Sequence, residues 1–231
     1  LISTMAGVND EKPAHAAWPL PGVQPVLLTP EGKEITENEV EGLLCMKFPW
    51  PGILRTTWGD HERCRQTYFS SYKGYYFTGD GAKRDADGRY RIIGRVDDVI
   101  NVSGHRFGTA EIENAINQAK GVVESAVVGY PHDIKGQGIY AYVVCETPIP
   151  ADDAQAMENM RGEILEAVVA GIGRIAKPDK IQFVSGLPKT RSGKIMRRIL
   201  RKVAENELGS LGDTSTLLDP GVVEEITAGK L

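Results

Sequence analysis

Three short stretches of this sequence concentrate residue types that can do chemistry. The run Pro188-Lys-Thr-Arg-Ser-Gly-Lys194 sets a lysine on a Ser-Gly turn directly before an amphipathic pattern. A lysine so placed can swing into a phosphate-containing site and act as a point charge on oxygens undergoing transfer. Seven of the 14 residues from Lys189 to Lys202 are basic, a density that would also suit a nucleic-acid patch or a solvated helix face. No aromatic side chains are interleaved to stack on bases, and the chain carries a net charge of −4, which together disfavour RNA or DNA as partner. The glycines at 186 and 193 are too far apart for a P-loop.

The second stretch, Tyr75-Tyr-Phe-Thr-Gly-Asp80, reads as a strand that ends by presenting a carboxylate beside a glycine. A carboxylate in that position can accept both hydroxyls of a ribose, although a turn aspartate satisfying its own backbone has the same pattern. The third, Gly94 to Gly108, packs two arginines, two adjacent aspartates and three glycines into 15 positions. Glycines let backbone N–H groups approach a ligand, and guanidinium forks bind phosphate or ribose oxygens. A surface pair between Arg95 and Asp97 or Asp98 would stabilise by only ~0–1 kcal/mol, so stability alone accounts poorly for the cluster.

The elements around these stretches divide in two. Residues 1–20 lack periodicity and contain prolines, which predicts an irregular leading segment. Gly22–Leu28, Gly42–Phe48, Tyr75–Asp80 and Arg89–Ile93 read as strands, the last two joined through the Asp85–Gly88 turn. Asp60 to Phe69 reads as a helix capped by Asp60. Beyond Gly94 the pattern becomes αββα-like. A helix capped by Thr109 carries Ile112, Ala115, Ile116 and Ala119, with Glu111 and Glu113 near its positive end. Strands follow at Val122–Tyr130 and Gly138–Glu146, then a long helix from Met157 to Ile172 and a strand at Ile181–Val184. Ile195, Ile199, Leu200 and Val203 mark a last amphipathic helix. The fold class is therefore α+β: a β-rich, barrel-like part over 1–95, and over 96–231 a compact part with a β-hairpin and a three-stranded sheet flanked by helices.

Other chemistries find little support. His15, His61, His105 and His132 lack the spacing of a zinc cage, and no metal is expected. No apolar run approaches the roughly 20 residues of a membrane span, and no secretion signal opens the chain. Cys45, Cys64 and Cys145 are scattered and odd in number, which fits a reducing cytoplasm. The chain opens at Leu1 without a methionine, as an excised or partial piece would.

Taken in order, the three stretches resemble the C-terminal portion of the acyl-adenylate-forming superfamily. Gly59-Asp-His-Glu-Arg63, Gln66-Thr-Tyr-Phe-Ser70 and the tail Leu211-Gly-Asp-Thr-Ser-Thr-Leu-Leu-Asp-Pro-Gly221 narrow the likeness to AMP-forming acetyl- or propionyl-CoA synthetases, from about Gly22 onward. The resemblance implies an acetate–CoA ligase using Mg-ATP and CoA, with Lys194 as the catalytic cation of adenylation. It also implies ATP or AMP contacts from Asp80, Arg95 and Arg106, CoA contacts from Ser103 and Gly104, and a hinge at Asp97. Acetylation of Lys194, by an acetyltransferase and reversed by a deacetylase, would switch such an enzyme off. The sequence departs from the pattern in lacking the upstream phosphate loop and acyl pocket, so the chain alone is expected to be inactive. Val169 and Ala170 stand where many relatives have a basic residue for the CoA phosphate, and Ala119 where many have a cation-associated histidine.

Overall fold

The computed structural model describes residues 1–150, 153–212 and 214–231, so Asp213 of the tail lies outside the described residues. The chain divides into two compact units, Leu1–Asp97 and Asp98–Leu231. Each forms one sheet of its own.

In the first unit, β1 (Pro25–Leu28), β2 (Glu34–Ile35), β3 (Val40–Met46), β4 (Tyr76–Arg84) and β5 (Tyr90–Arg95) form an antiparallel sheet in the order β2-β1-β3-β4-β5. Leu27, Leu44, Met46, Ala82 and Tyr90 make its core. The leading segment is irregular, touching the sheet through an isolated bridge between Ala17 and Tyr90. Helix α1 (His61–Phe69) starts where the sequence predicts, because the Asp60 side chain accepts the Arg63 N–H at 2.9 Å and satisfies an otherwise orphaned donor.

The second unit opens with a hairpin of β6 (Val99–Val102) and β7 (His105–Gly108). Strands β8 (Val122–His132) and β9 (Gly136–Cys145) pair antiparallel, and β10 (Lys180–Phe183) joins β9 in parallel. The hairpin attaches to this three-stranded sheet where Val102 meets Gly136. Strand alternation explains why β8 and β9 are apolar nearly throughout. Val127, Ile139, Ala141 and Val143 face α2 (Thr109–Ile116) and α3 (Ala154–Gly171), while Ala126, Val128, Tyr140 and Tyr142 face α4 (Arg197–Ala204) and α5 (Gly221–Ala228). With both faces covered, neither strand has a solvent side.

Four expectations from sequence change here. Gly108, not Thr109, caps α2, and Thr109 is its first, buried residue. Ala119 lies beyond the helix in a turn yet remains in the core. Ile195 precedes α4 and forms a bridge with Lys189 instead of a helical turn. Finally, α4 is not the last helix, since α5 follows the tail and packs Ile226 beneath β9.

Candidate functional site

The Thr78-Gly79-Asp80 stretch lies inside β4 at an irregularity of the ladder. Cys45 pairs with Phe77 and Leu44 with Asp80, so Thr78 and Gly79 bulge out between them. Thr78 fixes the bulge, its hydroxyl donating to the Leu44 carbonyl at 2.8 Å and accepting the Asp80 N–H at 3.1 Å. Gly79 sits at φ +77°, a left-handed conformation that glycine adopts without steric cost. The space over it is taken by Arg95, and a Cβ at Gly79 would lie 2.5 Å from Arg95 Nη1.

Arg95 is the cross-strand partner of Asp80. Its Nη1 donates to the Thr78 carbonyl at 3.0 Å and stands 3.8 Å from Asp80 Oδ1, while Nε donates to Asp97 Oδ1 at 3.0 Å. One guanidinium thus joins Asp80 to Asp97. Arg95 and Asp97 line a cavity of about 340 Å³ with Tyr68, Phe77 and Gly79. Tyr68 comes from α1 and stacks on Tyr76, with ring centroids 5.1 Å apart. The arrangement offers a carboxylate for hydroxyls, a cation for an anion and an aromatic wall. Tyr68 carried no role in the sequence reading, because nothing in its local pattern shows which face of α1 meets the sheet.

Asp97 lies in the 3₁₀ turn Val96–Asp98, where the first unit ends. Asp98 begins the second unit and pairs elsewhere, accepting from Arg201 Nη2 at 3.1 Å. Of the two surface pairings weighed for this cluster, the structure shows Arg95 with Asp97.

In the second unit, Ser103 and Gly104 form a two-residue turn between β6 and β7, at φ +51° and +86°. Two successive positive φ values are the signature of the type I′ hairpin, whose twist matches that of the strands. The Ser103 N–H donates to the Lys135 carbonyl at 2.9 Å, which ties the turn to the segment before β9. Arg106 is exposed on β7, across from Asn101. It alternates with His105 and Phe107, whose rings lie close together on the other side of the strand.

Lys194 is exposed at the end of a tight turn. Its carbonyl accepts the Thr190 N–H at 2.9 Å, and its N–H donates to Thr190 Oγ1 at 3.2 Å. Gly193, at φ +82°, closes the turn by donating to the Thr190 carbonyl at 2.8 Å. The tail holds the strand leading into it, through a Leu218 N–H bond of 2.8 Å to the Lys189 carbonyl. Both backbone groups of Lys194 are therefore fixed while its side chain remains in solvent.

Two arginines on one face of α4 hold the helix that follows. Arg197 makes a two-pronged pair with Glu113 of α2, at 3.1 Å from Nε and 2.6 Å from Nη2. Glu113 is only 7% exposed and also accepts the Val127 N–H at 2.9 Å. Burial works against the Arg197 charge, but Glu113 and then Asp98 outweigh it and hold the guanidinium pKa above its ordinary value. Arg201 adds the bond to Asp98. Read from sequence as a helix-dipole residue, Glu113 is instead the buried anchor of the Lys194-bearing segment.

A family model described as the AMP-binding enzyme C-terminal domain matches residues 111–194, a stretch that ends on Lys194. Over all 231 residues the chain is 59% identical to an acetyl-coenzyme A synthetase of Saccharophagus degradans and spans 35% of that protein's length. The crystal structure of ATP-bound MatB from Rhodopseudomonas palustris superposes with a TM-score of 0.69 at 28% identity, covering 87% of this chain and 38% of the other. An acetoacetyl-CoA synthetase from Streptomyces lividans gives a TM-score of 0.77 over 93% of this chain and 32% of its own, and at 22% identity that likeness speaks for the fold alone.

The antiparallel unit with Thr-Gly-Asp at a bulge and the α+β unit with lysine on a Ser-Gly turn are thus similar to the corresponding part of ATP-bound MatB, and residues 111–194 match the AMP-binding enzyme C-terminal domain. Its sequence is similar to the C-terminal portion of acetyl-coenzyme A synthetases, of which it spans about a third of the length.

Proposed function

We propose that this chain is the C-terminal portion of an AMP-forming acetate–CoA ligase. In this reading, residues 1–95 complete the large nucleotide-holding domain, and residues 96–231 form a mobile domain that turns about Asp97. The carrying observation is Lys194, whose main chain is fixed on a hydrogen-bonded turn while its ammonium is free to reach a ligand.

The reaction has two halves. An acetate oxygen attacks the α-phosphate of Mg-ATP and displaces pyrophosphate, giving acetyl-adenylate. The CoA thiol then attacks the acetyl carbonyl and displaces AMP. Asp80 accepts the ribose hydroxyls, with Arg95 holding the carboxylate in place and the Tyr68 wall alongside. Arg106 contacts phosphate. Lys194 contributes positive charge where negative charge builds on the transferring phosphoryl group, the kind of stabilisation worth ~10²–10³-fold in rate. Ser103 and Gly104 offer their turn to the pantetheine arm of CoA. Acetylation of Lys194 neutralises its ammonium and halts the first half, which makes an acetyltransferase and a deacetylase its regulatory partners in a cytoplasmic setting. The chain alone, without a phosphate loop or acyl pocket, is inactive in this account.

The test is acetate-dependent exchange of labelled pyrophosphate into ATP by the ligase that carries this chain. Exchange with acetate in preference to propionate is expected. Exchange driven only by propionate would reassign the acyl substrate, and no exchange with either acid would overturn the ligase reading.

A further inference from the structure

Helix α4 has eight residues and so runs about 12 Å. Only Ile195 and Met196 separate it from Lys194, so the place of Lys194 depends on how this helix is seated. Ile199, Leu200 and Val203 bury its apolar side. Apolar contact is non-directional, and by itself it leaves a short helix free to pivot. Direction comes from the arginines. Arg197 and Arg201 are four residues apart and share one face, one turn from each other. The two-pronged pair of Arg197 with Glu113 fixes one point. A rod held at one point still turns about it. The second point is Arg201, whose Nη2 donates to Asp98 Oδ1 at 3.1 Å.

Asp98 holds a helix that lies 103 residues further along the chain. It closes the 3₁₀ turn Val96–Asp98, opens the second unit and leads directly into β6. Every residue of β6 is paired with β7, so the carboxylate is presented from a fixed backbone. Its side chain is 19% exposed, against 60% for the Asp97 side chain next to it. The two adjacent aspartates therefore serve different purposes, Asp97 bonding Arg95 and Asp98 turning inward to α4. Asp98 also acts on the other arginine. Against the desolvation of Arg197, Glu113 first and Asp98 after it raise that guanidinium pKa. One carboxylate thus meets both cations of the helix face.

A partly exposed pair of this kind contributes little to stability. Its effect on orientation is larger, because a reacting group displaced by about 1 Å can lose ~10²-fold in rate. We propose that Asp98 is a positioning residue for Lys194: through Arg201 it sets the direction of α4, and with it the place of the Lys194 ammonium during acyl-adenylate formation. The inference rests on the ligase reading, which gives Lys194 its role. Asp98 itself touches no substrate. The attack of the CoA thiol, which does not use Lys194, does not depend on it.

The test is a mutant cycle with Lys194 in the ligase that carries this chain. Asp98→Asn should lower the kcat of acetate-dependent pyrophosphate exchange about tenfold, within the range for a misplaced reacting group. The KM for ATP and the rate of thioester formation from supplied acetyl-adenylate should stay near parental. Asp98→Glu, which keeps the charged acceptor, should recover most of the loss. In a Lys194→Ala background, Asp98→Asn should cost nothing further, because a residue that acts through Lys194 has nothing left to place. A similar fall in that background would overturn the proposal. So would unchanged exchange in the single variant, or equal slowing of both halves at a parental denaturation midpoint. Should Asp98→Asn lower the midpoint, Arg201→Gln removes the same bond and is held to the same outcomes. A parent without acetate-dependent exchange would instead overturn the ligase reading, and the role of Asp98 with it.

Discussion

Gly79 shows how much of this site depends on one missing side chain. Arg95 lies over its backbone, donates to the Thr78 carbonyl and bonds Asp97 in the same pose. A methyl group there would meet the far end of a half-exposed arginine, which can swing into solvent, so binding suffers more than folding. Gly79→Ala is expected to cost ~1–2 kcal/mol of stability from its left-handed backbone and to weaken AMP binding about tenfold through the displaced guanidinium. Calorimetric titration with AMP, beside a denaturation midpoint, reads both. Unchanged AMP affinity would remove Arg95 from the nucleotide wall. Asp80, Arg95 and Lys194, the residues proposed here for the site, stand out in the sequence because each belongs to a short motif whose residue types suit a chemistry. Tyr68 and Glu113 do not, since what each does depends on partners 8 to 84 residues away that no local pattern displays.

Among the elements, α4 carries the most consequence, because it begins three residues after Lys194. Its buried side is apolar, through Ile199, Leu200 and Val203, but two ion pairs fix its position. Arg197→Ala would leave the Glu113 carboxylate buried without its cation, and a broken pair of this sort costs several kcal/mol when fully buried. Arg197 retains some exposure, so a loss of about 2–3 kcal/mol is expected in denaturant unfolding. A loss below about 0.5 kcal/mol would mean that solvent replaces the arginine. Most of the strands and α3 were readable from apolar runs and periodicity, whereas the two-residue β2 and the short β6 and β7 were given no range. Helix α5 was not readable, because Asp219-Pro-Gly221 reads as a turn and the helix is only eight residues long. The β4 bulge was also hidden: Thr-Gly within a strand signals an irregularity, but its register against Leu44 is set by β3.

At the scale of the whole molecule, the sequence pattern changes beyond Gly94, and the two compact units of the structure meet at Asp97 and Asp98. Asp97 ends one unit and Asp98, bonded to Arg201 of α4, begins the other, so the junction is short and each side is separately anchored. A proposed rotation at this junction gives a specific expectation. Asp97→Pro, which locks φ and restricts Val96 before it, should slow thioester formation by about tenfold more than adenylation. Equal slowing of both halves would argue that Asp97 serves only to hold Arg95.

The most direct measurement concerns Lys194 in the ligase that carries this chain. Lys194→Ala should lower acetate-dependent pyrophosphate exchange by ~10²–10³-fold, as expected for one lost electrostatic stabiliser, while thioester formation from supplied acetyl-adenylate stays near the parental rate. Equal loss in both assays, or exchange retained at the parental rate, would contradict the account.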